Sequence, residues 1–544
     1  MSSEAHPTPW PLAVFAIVAL WFPVAAPGAS LGAPPMGLGV VGDVGLVLVL
    51  ASYGWRRTAT AAWLLVFGFQ LVRFASQLAM GEEGVLLDLL WLLGHVWVLA
   101  ADWIGAWRYP LLLLLLASLG GAGWLASWLL RVGADRPALF RGAGLAMMLL
   151  PLLPVVPGGW VAPVLGANLR ASASLWSEGR ARIAEATEHP PPHPAGPDAP
   201  DVHLYVVESY GALLFRAPEL APDHLALLTE LEGRLAAAGW ATASGMSAAP
   251  VSGGRSWIAD AAVLLGTPVA HETSYRRLMA QAGALPHLPA WFRAAGYRTV
   301  LCRPKDRARP GVHLENPLAF ERTVFFADLR YDGPRLGWGL VPDQYTLGWL
   351  RDEVLPEEPR RPTFLFAHLV SSHVPWRTPP AVLDDWRDLG RRDAEDEAVP
   401  FEDRPLLEEI GFHLHRFRRG QRGLGADLRS YMRRGDPTKK YQEVIRYDLE
   451  VLTRHVEAFA PDSPMVVVWM GDHAPPGIAP RHSFAVPVHV LASEPALLRP
   501  FLERGFTDGL IPPTTPTLGH QDLYEPLTET VPPAGEGGGN PSPG

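Results

Sequence analysis

The chain has 544 residues, which is too many for one ordinary hydrophobic core, so we expect two or more structural units. Its formal net charge of −9 forms no basic stripe that could neutralise phosphates, which argues against nucleic acid as a partner. The single cysteine, Cys302, excludes an internal disulfide and a thiolate zinc cluster, so a metal would depend on carboxylate, imidazole and hydroxyl ligands.

The first third of the chain is almost entirely apolar between Trp10 and about Leu165. A helix needs about 20 mostly apolar residues to cross a hydrocarbon core roughly 30 Å thick. Because short polar loops separate the apolar runs, we predict five or six transmembrane helices within residues 1–165 rather than buried helices of a soluble domain. The predicted spans are residues 10–30, 37–53, 58–78, 85–104, 109–130 and 142–161, of which the second is short.

The basic residues between these spans predict their orientation. Arg56 and Arg57 lie on one side of the membrane, whereas Arg131, Arg136 and Arg141 lie on the other. Cytoplasmic loops carry the excess of basic residues, so we assign the larger set to the cytoplasm. The last span then leads outwards. The domain that follows is therefore predicted to be periplasmic or extracellular, in a multi-pass protein of the cell membrane.

Residues 166–200 combine a polar stretch that suits a juxtamembrane helix with a proline-rich segment that suits a semi-rigid linker. We place the catalytic domain at residues 201–530. Within it, residues 384–434 are dense in charge and are predicted to form an insertion or surface. Residues 531–544 are rich in glycine and proline and are predicted to be a disordered tail.

Apolar strands alternate with helices in the catalytic domain. This pattern predicts an α/β fold of the sulfatase-like kind, in which a doubly wound, mostly parallel sheet has helices on both faces. Ligands bind such sheets beyond the carboxyl ends of the strands. The predicted strands are residues 202–207, 297–302, 363–369, 464–470 and 485–491, and the predicted helices are residues 225–238, 288–295 and 441–459.

Three of the predicted strands are followed by side chains that can bind metal. Glu208 ends the first apolar run, and Gly211 allows the turn after it. The adjacent Asp472 and His473 follow a late strand, and His373 lies just past another. A divalent ion such as manganese, magnesium or zinc accepts oxygen ligands, and manganese and zinc also accept an imidazole. Taken singly, Glu208 could equally be a helix cap, and Asp472 could belong to a simple turn.

Two serines are candidates for a nucleophile. A flexible segment that contains Ser252 leads into an apolar helix, and Ser256 lies near the start of that helix. A serine at this position can be an N-cap, which accepts backbone N–H groups. It can also be a nucleophile, since a helix N-terminus and a nearby cation favour both an alkoxide and phosphoryl oxygens. The residues alone leave both interpretations open.

These motifs, in this order, resemble the alkaline phosphatase superfamily. The resemblance covers roughly residues 201–493 and is strongest to the membrane-bound branch of lipoteichoic acid synthases, phosphoglycerol transferases and phosphoethanolamine transferases. It implies that Glu208 and the pair Asp472 and His473 bind a metal ion. It also implies that His373 belongs to a substrate-side histidine segment, and that His482 is a further site histidine.

The resemblance bears on the nucleophile as well. In sulfatases and nucleotide phosphodiesterases the nucleophile typically precedes a helix-ending glycine by ten residues, as Ser256 precedes Gly266. Lipoteichoic acid synthase-like enzymes place their threonine closer to the position of Ser252, so both serines stay candidates. The segment after Ser256 has neither the proline nor the arginine of the sulfatase motif, which disfavours a formylglycine sulfatase.

The predicted function is that of a membrane-anchored, metal-dependent phosphotransferase or phosphoric-ester hydrolase. Its substrate would be a lipid headgroup or a glycan or polymer of the cell envelope. The alternatives are a sulfuric-ester hydrolase of the same fold, an inactive membrane scaffold, and a transporter that uses Asp43, Asp88 and His95. The predicted site residues are Ser256, Ser252, His373 and His482 for catalysis, Arg255, Trp257 and His373 for substrate, and Glu208, Ser256, Asp472 and His473 for metal.

Overall fold

The structure is a computed structural model. It describes residues 10–29, 41–80, 85–92, 94, 108–150, 161–186, 189–196, 198–308, 314–333, 341–356, 359–374, 376, 378–390, 436–459, 464–480 and 483–534. These residues form two compact units. One comprises Met1–Leu78 and Glu82–Ser174, and the other comprises Ala79–Gly81 and Leu175–Gly544.

Helices make up most of the described part of the first unit. They are α1 (Trp10–Ala29), α2 (Val41–Ser52), α3 (Arg56–Met80), α4 (Arg108–Asp135), α5 (Pro137–Leu149) and α6 (Val161–Ala186), the last of which continues into the second unit. Among the described helices, one is long and apolar enough to cross a membrane, over Arg108–Val132 within α4. Most of the predicted span 85–104 and residues 151–160 of the last predicted span lie outside the described residues.

The strands among the described residues of the second unit form one nine-stranded sheet. They are β1 (Asp201–Val207), β2 (Ala241–Ala248), β3 (Arg298–Arg303), β4 (Arg322–Phe325), β5 (Thr363–Leu369), β6 (Met465–Gly471), β7 (Ala485–Ala492), β8 (Thr507–Asp508) and β9 (Leu518–Gly519). Their order is β4-β3-β5-β1-β6-β7-β2-β8, and β9 pairs with β2. The α/β class is therefore confirmed.

The sheet is mixed, which refines the expectation of a mostly parallel one. Strands β4, β3, β5, β1 and β6 are parallel neighbours, whereas β7 is antiparallel to both β6 and β2. The described residues between β6 and β7 form turns and contain no helix. A parallel pair needs a long crossover, usually through a helix, so the short return after β6 brings β7 back in the opposite direction.

Apolar side chains cover both faces of the sheet, because alternate strand residues point to opposite sides. On one face they pack against α9 (Ser256–Leu265), α11 (Leu288–Ala294) and α15 (Tyr524–Glu529). On the other they pack against α8 (Ala221–Ala237), α12 (Asp343–Trp349) and α13 (Pro437–Glu457). The shorter helices of this unit are α7 (Leu213–Arg216), α10 (Glu272–Met279) and α14 (Arg499–Leu502).

The first residues of the predicted tail are ordered. The N–H of Gly196 donates to the Pro532 carbonyl (2.9 Å), and the N–H of Ala534 donates to the Pro194 carbonyl (2.9 Å). These bonds join the tail to the proline-rich segment that precedes β1. Residues 535–544 lie outside the described residues, as do residues 391–435 of the predicted charged insertion.

The three central strands end at the same level. In the register of the sheet, Val207 of β1 is paired with Leu369 of β5 on one side and with Gly471 of β6 on the other. The residues that follow these strands therefore emerge side by side at one edge of the sheet. This edge is where ligands bind in open α/β folds.

Candidate metal and nucleophile site

The turn after β1 presents a buried carboxylate. Glu208 is 2% exposed, and Ser209 after it has a left-handed backbone with φ of 61°. The Ser209 hydroxyl donates to Glu208 Oε1 (3.0 Å), and the Ser209 N–H donates to Asp472 Oδ1 (2.7 Å). A non-glycine residue in this conformation is strained, and such strain is common at functional sites. The strained residue thus links the turn after β1 to the turn after β6.

The turn after β6 presents the neighbouring carboxylate and imidazole. Asp472 Oδ1 accepts from the backbone N–H of His473 (2.8 Å) as well as from Ser209. The His473 Nδ1–H donates to the Ala474 carbonyl (2.9 Å), which leaves Nε2 facing the site. That atom lies 3.3 Å from Glu208 Oε1 and 3.3 Å from Asp472 Oδ2. A backbone bond that fixes the tautomer is the usual arrangement for a metal-binding histidine.

Two glycines let these turns approach each other. A Cβ added to Gly211 would lie 2.8 Å from Pro475 Cδ, and one added to Gly471 would overlap the carbonyl oxygen of Tyr210. Gly211 is not among the residues with positive φ, so its role is close approach rather than the turn conformation that the sequence suggested. The left-handed residue of this turn is Ser209.

Gly471→Ala is expected to destabilise the domain and displace the Glu208 turn, because the obstructing atom is a backbone oxygen that has no other rotamer. Overpacking of this kind costs about 1–3 kcal/mol of unfolding free energy. Chemical denaturation in detergent measures the change. Gly233→Ala is the matched control, since Gly233 lies in α8 with open space around it and should gain up to about 1 kcal/mol. Equal stability of Gly471→Ala and the wild type would contradict this packing.

Ser256 is the first residue of α9. Its Oγ lies 3.2 Å from Glu208 Oε2 and 3.5 Å from His473 Nε2. The cap position belongs to Arg255, which has a left-handed backbone with φ of 60° and makes no side-chain capping bond. The Ser256 hydroxyl therefore points into the carboxylate and imidazole cluster, a geometry that suits a nucleophile better than a helix cap.

Positive groups surround the Glu208 carboxylate. The Lys305 Nζ lies 3.4 Å from Glu208 Oε2, and His368 Nε2 lies 3.5 Å from the same oxygen. On its other side, His368 Nδ1 is 3.0 Å from Asp260 Oδ1, and Arg303 pairs with that aspartate at 3.2 Å. A substrate with negative oxygens would meet at least one ammonium and one imidazolium here.

Burial and charge shift the pKa values of these groups in the metal-free protein. Burial raises the pKa of Asp472, and repulsion from Glu208 raises it further. Burial alone would also raise the pKa of Glu208, but the nearby imidazoles and the Lys305 ammonium bring it well below its usual value. Burial opposes a charge on His368, yet Asp260 raises its pKa to about 9. At neutral pH an ionised Glu208 thus faces a protonated His368.

The donor set fits a divalent cation. Glu208, Asp472 and His473 each offer a ligand atom, and these atoms lie within 4.8 Å of one another. Within the described part of the chain, Asp472 Oδ2 and His368 Nε2 are buried polar atoms without a hydrogen-bond partner. A buried carboxylate oxygen is costly to leave unpaired, and a cation would satisfy it. Two carboxylates with an imidazole suit manganese or zinc.

The other predicted residues are less directly placed in this cluster. His373 is partly buried, its Nδ1–H donates to the Val374 carbonyl, and burial lowers its pKa to about 4. The Trp257 indole N–H donates to Glu272 Oε2 (2.8 Å). Ser252 is buried in the loop before α9. His482 lies outside the described residues.

Lys305, Asp260, Arg303 and His368 were assigned no role by the sequence motifs. Lys305 lies two residues beyond the end of β3, so the rule that selected Glu208 and Asp472 could have selected it as well. Asp260 lies one helical turn after Ser256, which places both on one face of α9. His368 is a residue of β5 itself, where an imidazole within an apolar strand has no distinctive spacing.

Comparisons with known proteins give structural matches only. No protein-family model matches the sequence, and none of the curated proteins is similar enough to be a match. The structure is similar to the integral membrane protein lipooligosaccharide phosphoethanolamine transferase A from Neisseria meningitidis, with 12% identity, 95% of each chain covered and a TM-score of 0.48.

Two further solved structures are similar over somewhat more than half of this chain. For a phosphoglycerol transferase from Streptococcus pyogenes in complex with sn-glycerol-1-phosphate, identity is 13%, coverage is 59% of this chain and 74% of that chain, and the TM-score is 0.33. For a lipoteichoic acid synthase from Listeria monocytogenes, identity is 13%, coverage is 57% of this chain and 70% of that chain, and the TM-score is 0.32.

Proposed function

We propose that this chain is a membrane-anchored, metal-dependent phosphotransferase of the alkaline phosphatase superfamily, with Ser256 as its nucleophile. The observation that carries the proposal is the position of the Ser256 Oγ. It lies 3.2 Å from Glu208 in a buried cluster where Glu208, Asp472 and His473 offer metal ligands. A hydroxyl held beside such a cluster is arranged for attack on phosphorus.

The charges around the cluster favour a phosphoryl substrate. Lys305 and protonated His368 can neutralise phosphoryl oxygens, and the N–H groups at the start of α9 can bind an anion beside Ser256. A serine that lacks the sulfatase motif carries no signal for conversion to formylglycine. Phosphoryl transfer is therefore preferred to sulfate-ester hydrolysis.

Glu208, Asp472, His473 and the Ser256 oxygen would hold the ion. A bound divalent ion would lower the pKa of the serine hydroxyl and withdraw charge from the phosphoryl oxygens. The His473 tautomer is already set by its bond to the Ala474 carbonyl. The pair of hydrogen bonds that Asp472 Oδ1 accepts leaves Oδ2 as its ligand atom.

The reaction would proceed in two displacements. In the first, the Ser256 Oγ forms a bond to phosphorus while the bond from phosphorus to the lipid glycerol oxygen breaks. The proton of the serine hydroxyl passes through water to the oxygen of the released diacylglycerol, so the step consumes and releases no net proton. In the second, an acceptor hydroxyl attacks the phosphoserine, the bond from phosphorus to the Ser256 Oγ breaks, and the acceptor's proton passes by way of Nε2 of neutral His373 to the Ser256 oxygen.

The first unit supports a membrane location. In α4, the leucines at positions 111 to 116 are all between 39% and 66% exposed, which is costly in water and favourable in lipid. Gly45 of α2 and Gly144 of α5 would each meet the other's carbonyl oxygen if they had a Cβ. Such close helix approach at glycines is common in membranes. A membrane-anchored enzyme has ready access to a lipid donor, so we include a helix bundle and a lipid headgroup in the proposal.

The proposal is tested with the full-length protein in detergent micelles that contain Mn²⁺ and either phosphatidylglycerol or phosphatidylethanolamine. We expect release of diacylglycerol from at least one lipid, and mass spectrometry should find the matching phosphoglycerol or phosphoethanolamine group on Ser256. Removing the metal with EDTA should stop the release. An arylsulfate is the control substrate.

The outcomes separate the rival functions. Cleavage of the arylsulfate but of neither lipid would overturn the proposal in favour of a sulfuric-ester hydrolase. Failure to bind Mn²⁺ or Zn²⁺, with no turnover of any ester, would overturn it in favour of a binding scaffold.

A further inference from the structure

One buried helix reaches both the Glu208 turn and the His373 loop. The hydroxyl of Tyr441, in the first turns of α13, donates to the Ser209 carbonyl (2.9 Å) and accepts from the Gly211 N–H (3.1 Å). Tyr441 is fully buried. Because Ser209 carries the strained backbone after Glu208, the tyrosine binds the two peptide groups that determine where this carboxylate points.

A buried aspartate holds the backbone of the His373 loop. The Asp343 carboxylate accepts from the N–H of Val370 (2.9 Å) and of Ser371 (2.8 Å). In return, the Ser371 hydroxyl accepts from the Asp343 N–H (2.9 Å). The next residue, Ser372, donates its hydroxyl to the Glu208 carbonyl (2.7 Å). The loop that leads to His373 is thus joined to the Glu208 turn.

Asp448 of α13 lies behind this loop. Its side chain is completely buried and within hydrogen-bonding reach of Asp343 and Ser372. The Ser372 hydroxyl already donates its hydrogen bond to the backbone carbonyl of Glu208. No donor in the described residues bonds to either oxygen of Asp448. Two buried carboxylates side by side cannot both be ionised, so Asp448 keeps a proton. Burial raises the pKa of Asp448 well above its usual value, which favours the protonated side chain that can donate to Asp343.

The helix geometry explains why one element can make both contacts. Tyr441 and Asp448 are seven residues apart, which is close to two helical turns, so both point to the same face. His455 is a further seven residues along and bonds through Nε2 to the Tyr205 hydroxyl (2.7 Å) in the middle of β1. On this face, Tyr441 contacts the Glu208 turn and Asp448 lies beside the residues that hold the His373 loop. His455 contacts β1 at a point away from the site.

We propose that Tyr441 and Asp448 are positioning residues, through which α13 aligns the carboxylate of Glu208 with the loop of His373. The inference rests on the proposed function for its catalytic meaning, but the alignment is a property of the chain itself. Removing the Tyr441 hydroxyl frees the Glu208 turn. Removing the proton donor at position 448 takes away the contact of Asp343 with α13 and loosens the loop that Asp343 holds.

The first experiment measures the alignment without reference to activity. Hydrogen exchange of the full-length protein in detergent should show faster exchange at Tyr210 and Gly211 in Tyr441→Phe, and at Val370 and Ser371 in Asp448→Leu. Asp448→Asn keeps an N–H donor for Asp343 and should exchange like the wild type. Tyr205→Phe is the matched control, because it removes a buried hydroxyl bonded to the same helix but away from the site.

The second experiment measures the consequence for the site. Loss of an outer partner of a metal ligand typically costs 10–100-fold in affinity or activity, so Tyr441→Phe should raise the Kd for Mn²⁺ by about this factor. Asp448→Leu should lower kcat for lipid turnover by about 10–100-fold, with KM less affected. Tyr205→Phe and Asp448→Asn should stay near the wild-type values at matched melting temperature.

These experiments can contradict the positioning inference and the proposed function independently of each other. If Tyr441→Phe and Asp448→Leu change local exchange no more than Tyr205→Phe does, the positioning inference is wrong even when the enzyme is active. If the exchange pattern is as expected but the wild type neither binds Mn²⁺ nor cleaves a lipid, the proposed function is wrong and the alignment by α13 stands.

Discussion

Replacing Ser256 with alanine is expected to lower the rate of lipid turnover by about 10⁴-fold or more, as the loss of a serine nucleophile does in other enzymes. The reason is that the substitution removes the Oγ that lies 3.2 Å from Glu208 Oε2 and 3.5 Å from His473 Nε2, which is the atom proposed to bond to phosphorus. Steady-state release of diacylglycerol from phosphatidylglycerol or phosphatidylethanolamine micelles measures the change. The covalent adduct should disappear from the peptide at the same time.

Ser252→Ala is the matched control. It makes the same chemical change four residues earlier in the same segment, and it should retain most of the activity and the whole adduct on Ser256. The opposite pattern, with an active Ser256→Ala and an inactive Ser252→Ala, would transfer the nucleophile to Ser252. That is the arrangement that the likeness to lipoteichoic acid synthases kept open.

The sequence predicted the parallel centre of the sheet well, because its strands are buried on both faces and so form unbroken apolar runs. The strand predicted at residues 363–369 coincides with β5, the one at 202–207 begins one residue after β1 begins, and the one at 464–470 is shifted by one residue from β6. A short, unbroken apolar run between two helices is compatible with few structures other than a buried strand.

Other elements carried no readable pattern. Strand β2 has the sequence Ala-Thr-Ala-Ser-Gly-Met-Ser-Ala, in which small residues hide any apolar alternation. A Cβ at Gly245 of this strand would meet the ring of Phe506, so a partner far along the chain decides its composition. Strands β8 and β9 have only two residues each, too few for a period to be recognised. These strands lie beyond β7, outside the parallel centre of the sheet.

The residues of the candidate site could likewise be predicted only in part. Glu208, Asp472 and His473 follow directly from strand ends, and their meeting at one edge follows from the order of the sheet. The residues that contact these side chains and their turns from other elements could not be predicted from strand ends. Asp260 reaches His368 from α9, and Tyr441 reaches the Glu208 turn from 230 residues away, as measured from Gly211. Contacts between elements so distant in sequence depend on how helices pack on the sheet, which no local pattern encodes.

Asp472→Asn is expected to have opposite effects on the metal-free and the metal-loaded protein. The amide oxygen can still accept from the N–H groups of Ser209 and His473, so the turn keeps its shape, but the ligand atom Oδ2 is lost. Loss of a direct ligand should weaken Mn²⁺ binding by about 100-fold or more, since outer partners alone cost 10–100-fold. The stabilisation that saturating metal gives to the melting temperature should fall accordingly.

In the metal-free protein the sign reverses. Burial and repulsion from Glu208 raise the pKa of Asp472, so its ionised form destabilises the folded state near neutral pH, and folding favours its protonation. This penalty is relieved as the pH falls through the raised pKa of Asp472, and a neutral asparagine removes it at every pH. The metal-free variant should therefore melt at a higher temperature than the metal-free wild type at pH 7, and its melting temperature should depend less on pH.

Asp201→Asn is the control for this pair of measurements. Asp201 is the first residue of β1, the strand that Glu208 follows, and its carboxylate accepts from the Thr363 N–H (2.7 Å) and from Arg360 (2.7 Å). Its loss should leave Mn²⁺ affinity unchanged, because it lies at the other end of β1. If Asp472→Asn bound Mn²⁺ as tightly as Asp201→Asn does, the two turns would not form a metal site. A metal-free Asp472→Asn protein that melted below the wild type would show that the buried carboxylates do not repel each other.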